Sequence, residues 1–133
     1  DLFAGSGALG IEALSRGAAH ATFVEADPAA VAAVRRNLAE LELDDVADLR
    51  RADARAFLRN APRAGRHYDL VFVDPPYRRA AALTESLPQD LPPVLAPGAR
   101  VVVESDRRDP LELALPLLHE RRYGDTLIRI HGP

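Results

Sequence analysis

The tetrapeptide Asp74-Pro75-Pro76-Tyr77 carries the most specific chemistry in the chain. It follows Tyr68 to Val73 (YDLVFV), the strongest strand signal in the sequence, and so sits at the carboxyl edge where open α/β sheets bind ligands. An exocyclic amine on a nucleic-acid base is a poor nucleophile, because its lone pair is delocalised into the ring. A carboxylate at Asp74 and the carbonyl of Pro75, held by rigid rings, can accept both of its hydrogens and shift the nitrogen towards a tetrahedral donor. Tyr77 offers an aromatic face on which a base that has left its helix can stack. The plainer alternative is a proline-rich loop without chemical meaning.

A second constellation opens the chain. In Asp1 to Gly10 (DLFAGSGALG), glycines at Gly5 and Gly7 let the backbone approach a ligand closely, and the helix that follows offers free amides and the positive end of its dipole. Gly5, Gly7 and Gly10 also satisfy GxGxxG, a weak fingerprint alone, since a glycine turn can merely pack a helix on a sheet. Glu25 stands about twenty residues further on, where an acid can accept hydrogen bonds from both hydroxyls of a ribose, so the expected ligand contains a nucleoside. Asp27 can share that role or cap the helix starting at Pro28, and capping suits its position better. Asp53 can meet an adenine amino group from beside the same crevice, or simply cap a helix.

These residues need a scaffold of alternating strands and helices, which favours a largely parallel sheet with helices on both faces. Asp1-Leu2-Phe3 reads as a strand tail, Ala8 to Arg16 as a helix closed by Gly17, and Ala21 to Glu25 as a strand buried on both faces. Val31, Val34, Leu38 and Leu41 recur at the spacing of one buried helical face. A weak strand follows around Val46 to Arg51, then a short helix containing Phe57 and Leu58. Beyond the tetrapeptide come a helix from about Arg79 to Leu87, a proline-broken segment, and a turn at Pro97-Gly98. A strand from Arg100 to Glu104 leads to a closing hairpin of Leu117 to Tyr123 and Thr126 to His131 around Gly124-Asp125.

The 133 residues, 47% hydrophobic, suit one compact domain. No run approaches a membrane span and no signal peptide opens the chain, so a soluble, cytoplasmic protein is expected. The absence of cysteine excludes disulfides, thiolate metal sites and a cysteine nucleophile. The four histidines are scattered, so no metal site is expected. A net charge of −3 argues against holding nucleic acid by bulk electrostatics. All 17 basic residues are arginine, however, and pairs such as Arg78-Arg79, Arg107-Arg108 and Arg121-Arg122 can form phosphate-binding patches or be ordinary solvated charges.

The runs DLFAGSGALGIEALSRGA, VEAD, RADARAFL, DLVFVDPPY and RRYGDT, in this order, make the chain resemble the bacterial 16S ribosomal RNA guanine-N2 methyltransferases of the RsmD type. The resemblance implies a Rossmann-like class I methyltransferase fold, with a mostly parallel seven-stranded sheet whose last strand is antiparallel and whose first strand is truncated here. It implies S-adenosylmethionine as cofactor. The turn formed by Asp1, Phe3, Gly5, Ser6 and Gly7 would hold its methionine part, Glu25 its ribose and Asp53 its adenine. Asp74, Pro75, Pro76 and Tyr77 would be catalytic. Residues 1–133 are then the catalytic domain, and an upstream segment of about fifty residues, with a basic arm that engages RNA, is expected to precede it. Such an arm would answer the charge objection. Ribosomal RNA, free or within the small ribosomal subunit, is the expected partner, and the protein is expected to be a monomer.

Other readings remain open at this point. An adenine-N6 methyltransferase of DNA or RNA would use the same amine chemistry. A glutamine-N5 protein methyltransferase usually has asparagine where Asp74 stands. An NAD-dependent oxidoreductase is suggested only by GxGxxG and leaves Asp74 to Tyr77 without a use. A noncatalytic RNA-binding module would retain the fold without turnover.

Overall fold

The computed structural model describes residues 1–76 and 80–133, residues 80–84 by their backbone alone. The chain divides into two units, residues 1–54 and 55–133. None of the described helices is long and apolar enough to cross a membrane.

In the first unit, β1 (Ala21–Glu25) and β2 (Ala47–Arg51) pair in parallel, in register from Ala21 opposite Ala47 to Glu25 opposite Arg51. Thr22, Phe23 and Val24 are all buried, as expected of a strand covered on both faces. Asp1 to Ala4 are not a regular strand, because the chain already turns at Leu2 and Phe3. They still bond beside β1: the Asp1 nitrogen donates to the Thr22 carbonyl (3.0 Å), Val24 N–H to the Asp1 carbonyl (2.8 Å) and Ala4 N–H to the Val24 carbonyl (3.1 Å).

Helix α1 (Ala8–Ser15) begins at Gly7, and α2 (Pro28–Glu40) begins as its sequence demands. Pro28 occupies the first turn, and the Asp27 carboxylate accepts the Ala30 N–H at 2.8 Å, a cap that stabilises by about 1 kcal/mol. Val31, Val34 and Leu38 are buried, but Leu41 is 54% exposed, a correction to the four-residue stripe. The helix ends at Glu40 and Leu41 is its C-cap, so the next turn that would have carried it inward never forms. Phe23, Val34, Leu38 and Ala4 make the centre of this core, with Ile11, Leu14 and Leu49 packed against it. Full burial of a side chain such as Phe23 contributes roughly 1.5–3 kcal/mol.

The second unit begins within α3 (Ala54–Asn60) and carries a four-stranded sheet in the order β3-β4-β6-β5. Here β3 is Tyr68–Val73, β4 Leu95–Asp106, β5 Leu117–Tyr123 and β6 Thr126–His131. β3 and β4 are parallel, and β6 runs antiparallel to both β4 and β5. The hairpin closes at Gly124, whose φ of 61° suits a residue without a side chain. Two expectations are corrected. Helix α4 (Ala80–Asp90) runs through Pro88 instead of breaking there, and Arg79, its expected start, lies outside the described residues. β4 starts at Leu95, not Arg100: Tyr68 pairs with Leu95 and Leu70 with Arg100, so Pro97-Gly98 forms a bulge inside the strand.

Candidate active site

The glycine turn in residues 1–54 is built from three distant supports. Gly7 caps α1 with φ 86°, a conformation glycine tolerates, but it offers no side-chain acceptor for the free amides of the first helical turn. The Asp1 carboxylate takes that part instead: Oδ2 accepts the Gly10 N–H at 3.2 Å. Its other oxygen, Oδ1, is buried without a hydrogen-bond partner. Glu25, at the end of β1, accepts the Gly5 N–H on Oε2 at 2.9 Å, while Oε1 accepts from Ala26 (2.8 Å) and Asp27 (2.9 Å). Three backbone donors thus fix this carboxylate, and each carboxylate oxygen can accept about two bonds, so Oε2 retains capacity.

The three fingerprint glycines have different physical reasons. At Gly5, φ is 56° and a Cβ would meet nothing within 4 Å, so open space lies over that peptide. At Gly7 a Cβ would press Ile11 and Val34, each at 3.3 Å. At Gly10 it would come within 2.3 Å of Phe23 Cε1, so this glycine serves helix-to-strand packing. β2 continues the arrangement: Ala52 N–H donates to the Glu25 carbonyl at 3.0 Å, and Asp53 follows one residue later, exposed beyond the strand end. Glu25 and Asp53 therefore stand at the carboxyl ends of the adjacent strands β1 and β2, with Gly5 hydrogen-bonded to Glu25. The exposed Ser6 presents its carbonyl to Asn37 Nδ2 at 2.8 Å.

In residues 55–133, Asp74 follows β3 directly. The strand stops because Pro75 and Pro76 cannot donate to a ladder. Asp74 is half-buried, Pro75 buried and Pro76 exposed. Burial pushes the Asp74 carboxyl above the usual carboxylate range. Glu104 on β4 is also pushed up, first by its own burial and then by the neighbouring charge of Asp74. Two of the arginine pairs are partly neutralised: Asp125 accepts from Arg107 (3.1 Å) and Arg108 (3.4 Å), and Glu120 accepts from Arg122 (3.3 Å).

The family model described as "Conserved hypothetical protein 95" matches residues 1–132. Ribosomal RNA small subunit methyltransferase D of Haemophilus influenzae is 36% identical over 140 residues, which cover 98% of this chain and 69% of that protein. The chain belongs to the ribosomal RNA small subunit methyltransferase D family. A conserved hypothetical protein of Streptococcus pyogenes has a solved structure that superposes with TM-score 0.83 at 31% identity, over 99% of this chain and 82% of that one. An RNA methyltransferase of Salinibacter ruber, solved with S-adenosyl-L-homocysteine, shares the fold at TM-score 0.69 and 18% identity, over 97% of this chain and 75% of that one.

Within this methyltransferase family member, Asp1, Phe3, Gly5, Ser6, Gly7, Glu25 and Asp53 fall in the first unit and Asp74 to Pro76 in the second. Tyr77 lies outside the described residues, as do Arg78 and Arg79. Sequence reasoning missed two residues. Asn37 clamps the glycine turn from 31 positions away, and its only local signal is a mediocre helix former in the middle of α2. Glu104 reads as a strand-end acid, yet β4 continues to Asp106 and makes it an interior one beside Asp74.

Proposed function

We propose that the chain transfers a methyl group from S-adenosylmethionine to the exocyclic N2 amine of a guanine in 16S ribosomal RNA. The observation that carries this reading is the half-buried Asp74 carboxylate, followed by Pro75 at the carboxyl end of β3, in a member of an rRNA methyltransferase family. The first unit fits the cofactor: open space lies over Gly5, and the orphaned Asp1 Oδ1 lies buried in the same turn. Asp1, Phe3, Gly5, Ser6 and Gly7 would hold its methionine end, Glu25 its ribose and Asp53 its adenine. When bound, S-adenosylmethionine supplies a methyl group whose sulfur–carbon bond breaks as the nitrogen–carbon bond forms, leaving a neutral thioether.

The chain's own residues do the rest. Asp74 and the Pro75 carbonyl accept the amine hydrogens and localise the nitrogen lone pair, and Asp74 takes the proton released on methylation and passes it to water. Tyr77 stacks on the target base. The substrate is the RNA of the small ribosomal subunit, and the protein acts in the cytoplasm as a monomer.

The test incubates the full-length protein with small subunits or their RNA and labelled cofactor, followed by digestion to nucleosides. Label in N2-methylguanosine is expected. Label found only in N6-methyladenosine would overturn the assignment.

A further inference from the structure

We propose that Glu104 is a positioning residue whose charge, held beside Asp74 on the same side of the sheet, makes Asp74 a stronger acceptor of the target amine's proton. The inference rests on the role proposed for Asp74 above. β3 and β4 run parallel with Val73 opposite Val103, and both valines are fully buried. One residue beyond that pair Asp74 leaves the end of β3 while Glu104 continues along β4, and side-chain alternation carries both away from the face of the two valines. Neighbouring strands lie about 4.8 Å apart, and Asp74 and Glu104 are both half-buried and near enough for the charge of Asp74 to act on Glu104.

Among the described residues of the sheet, the immediate neighbours of this pair are mostly uncharged. Opposite Glu104 on β6 stands Ile128, flanked by Thr126 and Ile130, and on β3 the same face carries Phe72. Along β4 the face holds Val102 and Asp106. Across β6, on β5, Arg121 lies opposite Ile128 and His119 opposite Ile130. Arg121 is exposed, a strand further away, and its Nε donates to His119 Nε2 at 3.1 Å. Among the described residues of the sheet, the titratable or charged groups that alternation places on this face besides Glu104 include Asp74, Arg100, Asp106, His119, Arg121 and Tyr123, and the group whose charge acts on Glu104 is the like-charged Asp74. Two close carboxylates in a partly desolvated place hold protons more tightly than either alone and titrate as a pair. Burial raises both groups here, and the charge of Asp74 raises Glu104 further. Repulsion between two carboxylates is reciprocal, so an ionised Glu104 makes Asp74 bind a proton more strongly at the moment the methylated amine must shed one.

The experiment uses full-length protein without cofactor and follows the side-chain carboxyl carbons of Asp74 and Glu104 by NMR across acidic pH. In Glu104→Gln the Asp74 midpoint should fall, and in Asp74→Asn the Glu104 midpoint should fall. With cofactor and RNA, Glu104→Gln should lower kcat several-fold, leave cofactor affinity unchanged and move the acid limb of the rate profile to lower pH. Glu104→Asp should recover part of the lost rate. Midpoints that ignore removal of the partner would overturn the inference. If Asp74→Asn is inactive while those midpoints stay fixed, Glu104 alone loses its role. If Asp74→Asn retains full activity, the role of Asp74 itself falls.

Discussion

Replacing Gly10 by alanine sets two opposing effects against each other. Alanine is the better helix former, by about 1 kcal/mol in a helix interior, and Gly10 is the third residue of α1. The added methyl, however, would lie 2.3 Å from Phe23 Cε1, 2.8 Å from Cζ and 3.0 Å from Cδ1. An ordinary carbon contact is about 3.5–4.0 Å, so the ring or the helix must retreat by roughly 1 Å or more. Phe23 is fully buried at the centre of a core shared with Ala4, Val34 and Leu38. Overpacking of this kind costs about 1–3 kcal/mol, with a further 0.5–1.5 kcal/mol if the ring leaves its rotamer. Sterics therefore outweigh propensity, and a net loss of about 1–3 kcal/mol is expected. Urea unfolding should show a lower midpoint at unchanged slope, and the melting temperature should drop by roughly 4–11 °C. Adding Phe23→Leu should return part of the loss, because the two positions are coupled through one contact. A Gly10→Ala protein as stable as the parent would refute the packing argument and leave Gly10 a ligand-facing residue like Gly5.

Glu25→Ala leaves the Gly5, Ala26 and Asp27 amides without their acceptor and removes the proposed ribose partner. Cofactor affinity should fall by roughly 1–3 kcal/mol in calorimetry, and an unchanged value would remove Glu25 from the site. Arg129 donates to Glu120 at 2.9 Å and to Glu112 at 2.7 Å, and its hydrogen bond is the main cause holding the Glu120 carboxyl below the usual range. A carboxyl lowered by folding stabilises fully above its unfolded value, about 4.3, and that contribution is lost as pH falls through the lower, folded value. Melting temperature should therefore decline on acidification below about pH 5, and less steeply in Arg129→Met. Equal slopes in the two proteins would show that this ion pair carries no pH dependence.

Much of the scaffold is written in local signals. Asp27-Pro28 caps α2 because cap and first turn are adjacent residues, and the hairpin closes at Gly124 because the turn conformation is set within two positions. The apolar run at Ala21 to Glu25 and the prolines after Val73 likewise mark their strands without help from the rest of the chain. The same locality makes the glycine turn, Glu25 and Asp74 stand out in the sequence as candidates for chemistry.

Other features depend on which strand lies beside which, and no window of sequence contains that information. Gly10 is glycine because Phe23, thirteen residues later, occupies the space its side chain would need. Asn37 holds Ser6 across 31 positions, and the β4 bulge exists because Tyr68 and Leu70 pair with Leu95 and Arg100. Leu41 has the right spacing to be buried, but the helix ends before it. Glu104 looks like any strand acid until β3 and β4 pair in parallel up to Val73 and Val103, one residue short of Asp74 and Glu104. Sequence by itself determined residue types, caps and turns, because those energies act within a few residues. Register and packing decided which distant side chains share a space, because those energies arise only when the chain has closed on itself.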